Sequence, residues 1–336
     1  MHVRVLYHDN CFDGSTSAAL FAECYRRCIS PAAAFDFVGL NHGPGDVFEG
    51  AFLSDKSPSL EHACVDFRYS ADPRLTYWFD HHQSAFMSAE DRLHFERARN
   101  PRHFYDPKAQ SCSKFLAETC HKVFGFDTTP FAELIAWADL IDGARFSSPE
   151  QAVLCTEPAL QLMTFAEHNR DPEHKKRFIA DLVRISLSEI AAQPHVQAVV
   201  SPVFAQREKT LAFLRQHASF VDGVVTYDAC ERRDLQIGKF APYYLFPDAQ
   251  YVVGLSALPG RTKVSVGSNP WQADRRTVDI AALCGGYGGG GHPAVGAVSL
   301  AAHDGPLGRK VAAEIATILR AASLPESHTN HGPHTH

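Results

Sequence analysis

Long apolar runs and paired cysteines are both lacking in this sequence. No stretch approaches the ~20 consecutive apolar residues that a membrane-spanning helix needs. The first residues run directly into a strand pattern, without the apolar region of a signal peptide. The nine cysteines are an odd number, are scattered singly and include no CxxC pair. We therefore expect a cytoplasmic protein with reduced thiols.

An excess of positive charge is lacking as well. The formal net charge is −6, which argues against a broad, non-specific grip on long nucleic acid. It leaves room for a small phosphorylated substrate held by metal ions and a local basic patch. The length of 336 residues, with 45% hydrophobic and 21% charged residues, is ordinary for a soluble globular protein with two domains.

Short apolar strands alternate with helical segments in the first half of the chain. Strands are predicted at residues 3–7, 34–40, 63–67 and in a segment that ends at Asp80, and a helix is predicted over 15–28. This alternation predicts an α/β fold, with a mostly parallel sheet and flanking helices, followed by a smaller mixed α/β domain. The predicted organisation is a first domain at 1–150, a helical connector at 151–220, a second domain at 221–325 and a disordered His-rich tail at 326–336.

The segment Trp78-Phe79-Asp80-His81-His82 organises the first domain. Its apolar residues end in a carboxylate and two imidazoles, so the strand delivers polar groups to the carboxyl edge of the sheet, where ligands bind in open α/β sheets. A chance cluster is the alternative, because the chain contains 19 histidines.

Other polar side chains lie at predicted strand and helix ends. The loop 8–14 joins a strand to a helix N-terminus, which favours anions or metal-bound phosphate. Asp139 and Asp142 lie in the last turn of a helix predicted from Thr129 to the stop at Gly143, where acids oppose the helix dipole unless cations lie nearby. The whole set is His8, Asp13, Asp66, Asp80, His81, His82, Asp139 and Asp142.

This set contains carboxylates and imidazoles without thiolate pairs, which suits Mn²⁺ or Mg²⁺ better than structural zinc. Several converging aspartates could not all stay ionised without cations to offset their repulsion. Two divalent ions bridged by one aspartate would offset it, and they would hold a hydroxide for attack on phosphorus.

Three fragments in order resemble the DHH phosphoesterase superfamily, in its subgroup with the DHH-associated C-terminal domain, which includes nano-RNases and other short-oligonucleotide phosphodiesterases. They are Tyr7-His8…Cys11-Phe12-Asp13-Gly14, Phe79-Asp80-His81-His82, and Gly289-Gly290-Gly291-His292-Pro293. The resemblance covers roughly residues 1–322. It implies that 1–150 is the catalytic domain and that 221–325 binds substrate.

The resemblance also implies roles for single residues. His8 and Asp66 correspond to ligands of one metal. Asp13, Asp66, His81 and Asp142 correspond to ligands of the second, with Asp66 as the bridge; a rival alignment assigns Asp139 in place of Asp142. Asp80 would orient His81, and His82 would donate to a phosphate oxygen.

The glycine run is expected to bind substrate. Backbone without side chains can approach a ligand closely and present amides to phosphate. Gly289, Gly290 and Gly291 would do so, and His292 could contact a phosphate. A tight turn without a ligand is the alternative.

Two positions depart from the family pattern. The first loop has Cys11 where the family usually has aspartate, and Cys11 is itself a candidate metal ligand. The first metal could be bound more weakly there, Asp9 could take the place of Cys11, or Cys11 could be a small buried residue without a role. Gly267 precedes Ser268 where the family has an Arg-Ser pair that grips phosphate, so substrate preference could differ.

The resemblance implies a metal-dependent, exonuclease-like hydrolase with two divalent ions, of which Mn²⁺ is expected and Mg²⁺ or Co²⁺ are alternatives. Its substrate would be a short oligonucleotide or a small nucleotide. We expect no association with a membrane, and a homodimer is possible. A polyphosphate or pyrophosphate hydrolase is the second enzymatic hypothesis, which the Gly289 to His292 run disfavours. A catalytically weakened nucleotide-binding module is the hypothesis from a different class.

Overall fold

The structure is a computed structural model that describes residues 1–43, 47–53 and 59–323. The chain divides into two compact units, one formed by residues 1–146 and 155–203 and the other by residues 147–154 and the chain from 204 onward. This division places 155–203, most of the predicted connector, in the first unit. It passes through the 24-residue helix Pro194–His217.

The first unit contains a five-stranded sheet in which every strand pair is parallel. The strands are β1 (His2–His8), β2 (Ala34–Leu40), β3 (Leu60–Val65), β4 (Leu75–Asp80) and β5 (His103–Tyr105). Their order is β2-β1-β3-β4-β5. Because the strands are parallel, the carboxyl ends of β1, β3 and β4 lie at the same edge, which confirms the predicted fold class.

Twelve α-helices are described. They are α1 (Phe12–Cys28), α2 (Ala89–Ala98), α3 (Cys112–Phe124), α4 (Ala132–Asp142), α5 (Pro149–Leu154), α6 (Pro158–His168), α7 (Pro172–Asp181), α8 (Leu187–Ala191), α9 (Pro194–His217), α10 (Ala241–Leu245), α11 (Ile280–Gly285) and α12 (Gly305–Ser323). Among the described residues, none of these helices has both the length and the apolar character to cross a membrane.

Strand β4 shows why the sheet is buried on both faces. Tyr77 and Phe79 lie near Phe21 of α1, with ring centroids 5.4 and 6.0 Å away. Trp78 points to the opposite face, where its ring lies 5.3 Å from that of Phe95 on α2. Successive side chains of a strand alternate between faces, so a continuous apolar run such as this one predicts a strand covered on both sides.

The second unit contains a six-stranded mixed sheet. Its strands are β6 (Ser219–Val221), β7 (Val224–Asp228), β8 (Tyr251–Leu258), β9 (Arg261–Ser268), β10 (Gly290–His292) and β11 (Val295–Ala301), in the order β10-β11-β9-β8-β7-β6. Strands β7 and β8 are parallel and the other neighbours are antiparallel. The core contains Val253 and Val264 from the sheet and Ile315 and Leu319 from α12.

Several element boundaries differ from the sequence predictions. Helix α1 begins at Phe12 rather than Ser15, and Cys11, the residue before it, has an extended backbone (φ −126°). The helix predicted from Thr129 begins as a 3₁₀ turn, and α4 starts at Ala132. The predicted tail at 326–336 lies outside the described residues.

Candidate metal centre

Polar side chains meet at the carboxyl edge of the parallel sheet. His8 is the last residue of β1, Asp66 follows β3, and His81 and His82 follow Asp80 at the end of β4. Asp66 has a left-handed backbone (φ +56°), which is uncommon outside glycine and is a conformation that Asp and Asn tolerate. Its amide donates to the carbonyl of Phe79 over 2.9 Å, which fixes the turn beside β4.

Asp66 lies at the centre of these side chains. Its Oδ2 is 3.3 Å from Nδ1 of His8, and its Oδ1 is 3.5 Å from Nε2 of His81. The same Nε2 is 3.6 Å from Oδ2 of Asp142. These residues come from β1, the segments after β3 and β4, and α4, so the fold gathers side chains that are far apart in the sequence.

Three overlapping groups of side chains have donor atoms close enough to hold a metal ion. They are His8, Cys11 and Asp66; Asp66, His81 and His82; and Asp13, His81 and Asp142. Within each group, all donor atoms lie within 4.8 Å of one another. Asp66 belongs to the first two groups and His81 to the last two, so adjacent metal sites are possible.

The hydrogen bonding of these side chains tests whether divalent ions fit. Among the described residues, both carboxylate oxygens of Asp66, Nδ1 of His8 and Nε2 of His81 are buried and have no hydrogen-bond partner. Burying such atoms unpaired is costly. A divalent cation would satisfy them together, and carboxylate and imidazole donors suit Mn²⁺ or a similar ion. The residues present therefore fit the ions that the sequence predicts.

The charges of the acids lead to the same conclusion. Burial, followed by the charges of Asp66 and Asp142, raises the pKa of Asp13 well above its usual value. Burial and Asp66 also raise the pKa of Asp142 to about 6. Burial acts in the same direction on Asp66, but His8 and His81 outweigh it and lower that pKa to about 2. Without cations, the acids of this cluster cannot all ionise at once.

Asp13 is anchored by the start of helix α3. Its two carboxylate oxygens accept hydrogen bonds from the backbone amides of Cys112 at 2.7 Å and Ser113 at 3.0 Å. These amides are free at a helix N-terminus, where the dipole also favours negative charge. The carboxylate is thereby held in one orientation, and its remaining lone pairs can bind a cation.

The two histidines of the Asp-His-His segment are oriented by different groups. Nδ1 of His81 donates to the carbonyl of Ala109 over 3.1 Å, which presents Nε2 to the acids. Nδ1 of His82 donates to Oδ1 of Asp80 over 2.7 Å. The same oxygen of Asp80 also accepts a hydrogen bond from the backbone amide of His81, at 2.8 Å. Asp80 thus contacts His81 through the backbone amide and His82 through the ring, and the role of Asp80 in orienting His81 stays a prediction.

Asp139 and Asp142 have different surroundings although they lie in one helical turn. Asp139 pairs with the guanidinium of Arg145, accepts from the hydroxyl of Ser111 at 3.0 Å and lies 3.5 Å from Nζ of Lys114. Asp142 faces His81. Asp139 is thus engaged by other side chains, whereas Asp142 lies in the cluster; which of the two binds a metal stays a prediction.

The chain resembles known proteins in structure rather than in sequence. No protein-family model matches the chain, and no curated protein matches it in sequence. Solved structures do match. The pGpG-specific phosphodiesterase PggH from Vibrio cholerae is 20% identical, with a TM-score of 0.67 over 94% of this chain and 99% of that chain. A DHH domain from a member of a family of ribosomal proteins is 13% identical, with a TM-score of 0.53 over 93% and 85%.

The chain has the fold of these structures, one of which is a DHH domain. An exopolyphosphatase-related protein from Bacteroides fragilis is also similar, at 13% identity and a TM-score of 0.52 over 96% of this chain and 93% of that chain. At these identities the likeness establishes the fold, and the roles of single residues rest on the geometry of this chain.

One side chain in this DHH fold was not predicted from the sequence. His42 stacks on Phe67, with ring centroids 4.7 Å apart, and lies 4.9 Å from the ring of His8. Arg68 Nη2 donates to Nδ1 of His42 over 2.8 Å, and since arginine cannot accept, the neutral ring carries its proton on Nε2. His42 comes two residues after β2, so the rule that ligands gather at strand ends could have found it.

Gly290 and Gly291, the end of the glycine run, lie in the edge strand β10 of the second unit. A Cβ at Gly289 would lie 2.2 Å from the carbonyl oxygen of Ala297, and one at Gly291, whose φ is +154°, would lie 2.2 Å from that of Val295. Close pairing with β11 therefore explains two of the three glycines. A Cβ at Gly290 would meet nothing within 4 Å in the part of the chain that is described, so packing does not explain the third.

The two polar residues predicted beside this run have local partners. Ser268 Oγ donates to the carbonyl of Ala294 at 3.0 Å, and Nδ1 of His292 accepts from the amide of Ala294 at 3.3 Å. His292 is exposed and Ser268 is buried. The imidazole is thus available to a ligand, whereas the hydroxyl already has a structural partner.

Proposed function

We propose that this protein is a metal-dependent phosphoesterase that hydrolyses short oligonucleotides or small nucleotide phosphates, with two divalent ions at the carboxyl edge of the parallel sheet. The observation that carries the proposal is the carboxylate of Asp66, which is 1% exposed and lies between His8 and His81, and neither of its oxygens has a hydrogen-bond partner among the described residues. Divalent cations would bind these oxygens and offset the charges of the clustered acids.

The ligands would divide between two ions that share Asp66. His8 and Asp66 would hold one, and Asp13, His81 and Asp142 would join Asp66 at the other. When bound, such ions lower the pKa of a water molecule and neutralise charge on the phosphate. We expect Mn²⁺, with Mg²⁺ or Co²⁺ as alternatives, because the donors proposed for the second ion are three carboxylates and an imidazole.

His82 is the proposed general acid or phosphate donor. Burial opposes its charge, but the hydrogen bond to Asp80 and the charge of Asp66 raise its pKa above the ordinary value. In the charged ring Nδ1 donates to Asp80, and the proton on Nε2 is left for a phosphate oxygen. Water is the proposed nucleophile, so no covalent intermediate with the protein is expected.

The glycine run is the proposed substrate-binding segment of the second unit. Gly290 lacks a packing reason for its missing side chain, and backbone amides on an exposed strand can bind a phosphate or a nucleotide. The likeness to a pGpG-specific phosphodiesterase supports a linear dinucleotide as the first substrate to test. The proposed division of labour keeps catalysis in residues 1–150 and substrate binding in 221–325. Cytoplasmic location and a homodimer stay predictions.

Hydrolysis of bis-p-nitrophenyl phosphate with and without Mn²⁺ tests the hypothesis that the protein is a metal-dependent phosphoesterase. We expect turnover in the wild type, and we expect both chelation and the variant His81→Ala to abolish it. The control Asp248→Asn, a change at an exposed acid, should leave turnover intact. Metal binding without turnover would contradict the proposal and favour the nucleotide-binding module.

A panel of substrates distinguishes the nucleotide phosphoesterase from the polyphosphate hydrolase. Linear dinucleotides, 3′-phosphoadenosine 5′-phosphate, longer oligonucleotides and polyphosphate would be compared at equal concentration. Preference for the dinucleotides or the nucleotide supports the proposal, and preference for polyphosphate supports the alternative hydrolase. Gly290→Ala should raise KM for the preferred substrate without changing hydrolysis of the small chromogenic diester.

A further inference from the structure

Cys11 lies in the metal-binding cluster, at the position where the DHH family usually has an aspartate. Its Sγ and donor atoms of His8 and Asp66 all lie within 4.8 Å of one another. The residue immediately precedes helix α1 and has an extended backbone (φ −126°, ψ 136°). Cys11 and His8 are both partly exposed.

Asp9, the residue that could replace Cys11 as a ligand, already has partners in the fold. Its Oδ2 lies 2.5 Å from Nζ of Lys175 on α7, and its Oδ1 accepts from the amide of Asn10 at 2.9 Å. The structure therefore favours Cys11 over Asp9 as the third member of this group.

The two partners of Cys11 independently indicate a cation site. Asp66 is 1% exposed, and within the described part of the chain neither of its oxygens has a hydrogen-bond partner. The buried Nδ1 of His8 is likewise unpaired there, 3.3 Å from Asp66. These atoms, rather than the cysteine alone, define a place for an ion.

We propose that Cys11, His8 and Asp66 form a mixed sulfur, nitrogen and oxygen subsite that selects a softer divalent ion, such as Zn²⁺, Fe²⁺ or Co²⁺, beside a second subsite of oxygen and nitrogen donors. Thiolate ligands favour softer ions, whereas carboxylate donors suit Mn²⁺ and Mg²⁺. The centre would therefore hold two different metals. Binding forms a bond from sulfur to the ion and releases the thiol proton to solvent, without oxidation or reduction.

This proposal rests on the metal centre of the proposed function but not on its hydrolytic activity. Cobalt provides a direct test, because a cobalt–thiolate bond gives a charge-transfer absorption in the near ultraviolet. We expect that band when Co²⁺ is added to the metal-free full-length protein. It should be lost in Cys11→Ser and Cys11→Asp and retained in Cys28→Ser, where the cysteine is exposed.

The histidines of the tail do not confuse this readout. His328, His331, His334 and His336 can bind cobalt only through nitrogen, so they cannot produce a sulfur band. Absence of the band in the wild type after saturation with cobalt would overturn the proposal. A cobalt–thiolate band in a protein without hydrolytic activity would support this inference and contradict the proposed function. The two failures are therefore distinguishable.

Metal competition supplies a second measurement. Wild-type protein and Cys11→Asp, matched to the usual family residue, would be dialysed against equal concentrations of Zn²⁺ and Mn²⁺ and analysed for metal content. We expect the ratio of zinc to manganese to fall about tenfold or more in the variant, the range seen when metal-site groups are changed. An unchanged ratio would overturn the proposal.

Should the Cys11 variants fail to fold, protection of the native thiol replaces them. Alkylation of Cys11 in the wild type, followed by mass spectrometry, should slow when Zn²⁺ is added, while alkylation of Cys28 should not. Equal rates at Cys11 with and without zinc would contradict ligation.

Discussion

Nδ1 of His82 donates to Oδ1 of Asp80 over 2.7 Å, and this bond fixes which nitrogen of the imidazole can reach a substrate. Asp80 is fully buried and also accepts the backbone amide of His82 at 3.3 Å. A carboxylate held in this way orients the ring and stabilises its charged form.

Replacing this carboxylate tests its positioning role. We expect Asp80→Asn to lower kcat about 10–100-fold, because the amide cannot support the charged imidazole as the carboxylate does. Metal content and KM should change little, since the metal-binding side chains remain. The expected kinetics are measured on the chromogenic diester, with Asp248→Asn as the matched control. Loss of bound metal in Asp80→Asn would show that Asp80 serves the ligands instead.

Metal binding should weaken as the pH falls. The pKa of Asp142 is raised to about 6, so below that pH a cation must displace its proton. Burial opposes charge on His81, but Asp66 outweighs it and raises the pKa of that ring to about 10, so metal binding at neutral pH also displaces a proton from Nε2. Calorimetric titration with Mn²⁺ in buffers of different ionisation enthalpy should show proton release. Affinity that is unchanged between pH 5 and 7.5 would contradict these assignments.

His62 should contribute to acid sensitivity away from the metal centre. Burial, followed by Arg4 and Arg74, lowers its pKa, and its Nε2 accepts from the amide of Leu53 at 3.0 Å. Because the folded pKa lies below the unfolded value near 6.5, the unfolded state binds the proton more readily as the pH falls. Stability is therefore present above about pH 6.5 and is lost below it, by at most about 1.4 kcal/mol per pH unit.

The variant His62→Gln isolates this contribution, since its amide oxygen can still accept from Leu53 but does not titrate. Urea unfolding in EDTA at pH 7.5 and 5 should show a smaller drop in the free energy of unfolding for the variant. An equal drop in both proteins would mean that other groups account for the acid sensitivity.

His42 should contribute to substrate binding. Arg68 holds its Nδ1, which leaves the proton on Nε2 as a donor beside His8. We expect His42→Ala to raise KM about 10-fold or more, the effect of losing a hydrogen bond to a charged group. Metal content should stay unchanged. If kcat and KM are both unaffected, His42 only covers Phe67.

Gly14 should be intolerant of a side chain. A Cβ there would lie 2.2 Å from the carbonyl oxygen of His8 and 2.9 Å from its Cβ. Gly14→Ala should therefore displace His8, destabilise the fold by about 1–3 kcal/mol and weaken metal binding. Gly285→Ala is the control, since a Cβ at that helical glycine meets no described atom within 4 Å. Urea unfolding and metal titration would measure both effects. Equal stability of the two variants would show that β1 and α1 can separate at little cost.

The strands of the first sheet could be predicted because their pattern is local. The predictions for β1, β2 and β4 agree closely with the structure, since buried parallel strands are apolar on both faces. Helix starts were less certain. Asp13 and Gly14 were assigned to a loop, yet they belong to α1, because nothing in the local sequence reveals that Asp13 binds the distant amides of α3.

The sequence by itself determined which types of side chain end the strands of the sheet, since strand direction and alternation follow from short-range patterns. That information was enough to name Asp66, His81 and the resemblance to the DHH superfamily. Only the tertiary structure decided between candidates with similar local surroundings. Ser111 and Arg145 hold Asp139 away from the cluster, and Lys175, 166 residues along the chain, binds Asp9. Such choices depend on partners brought close by packing, and one sequence alone does not specify those distances.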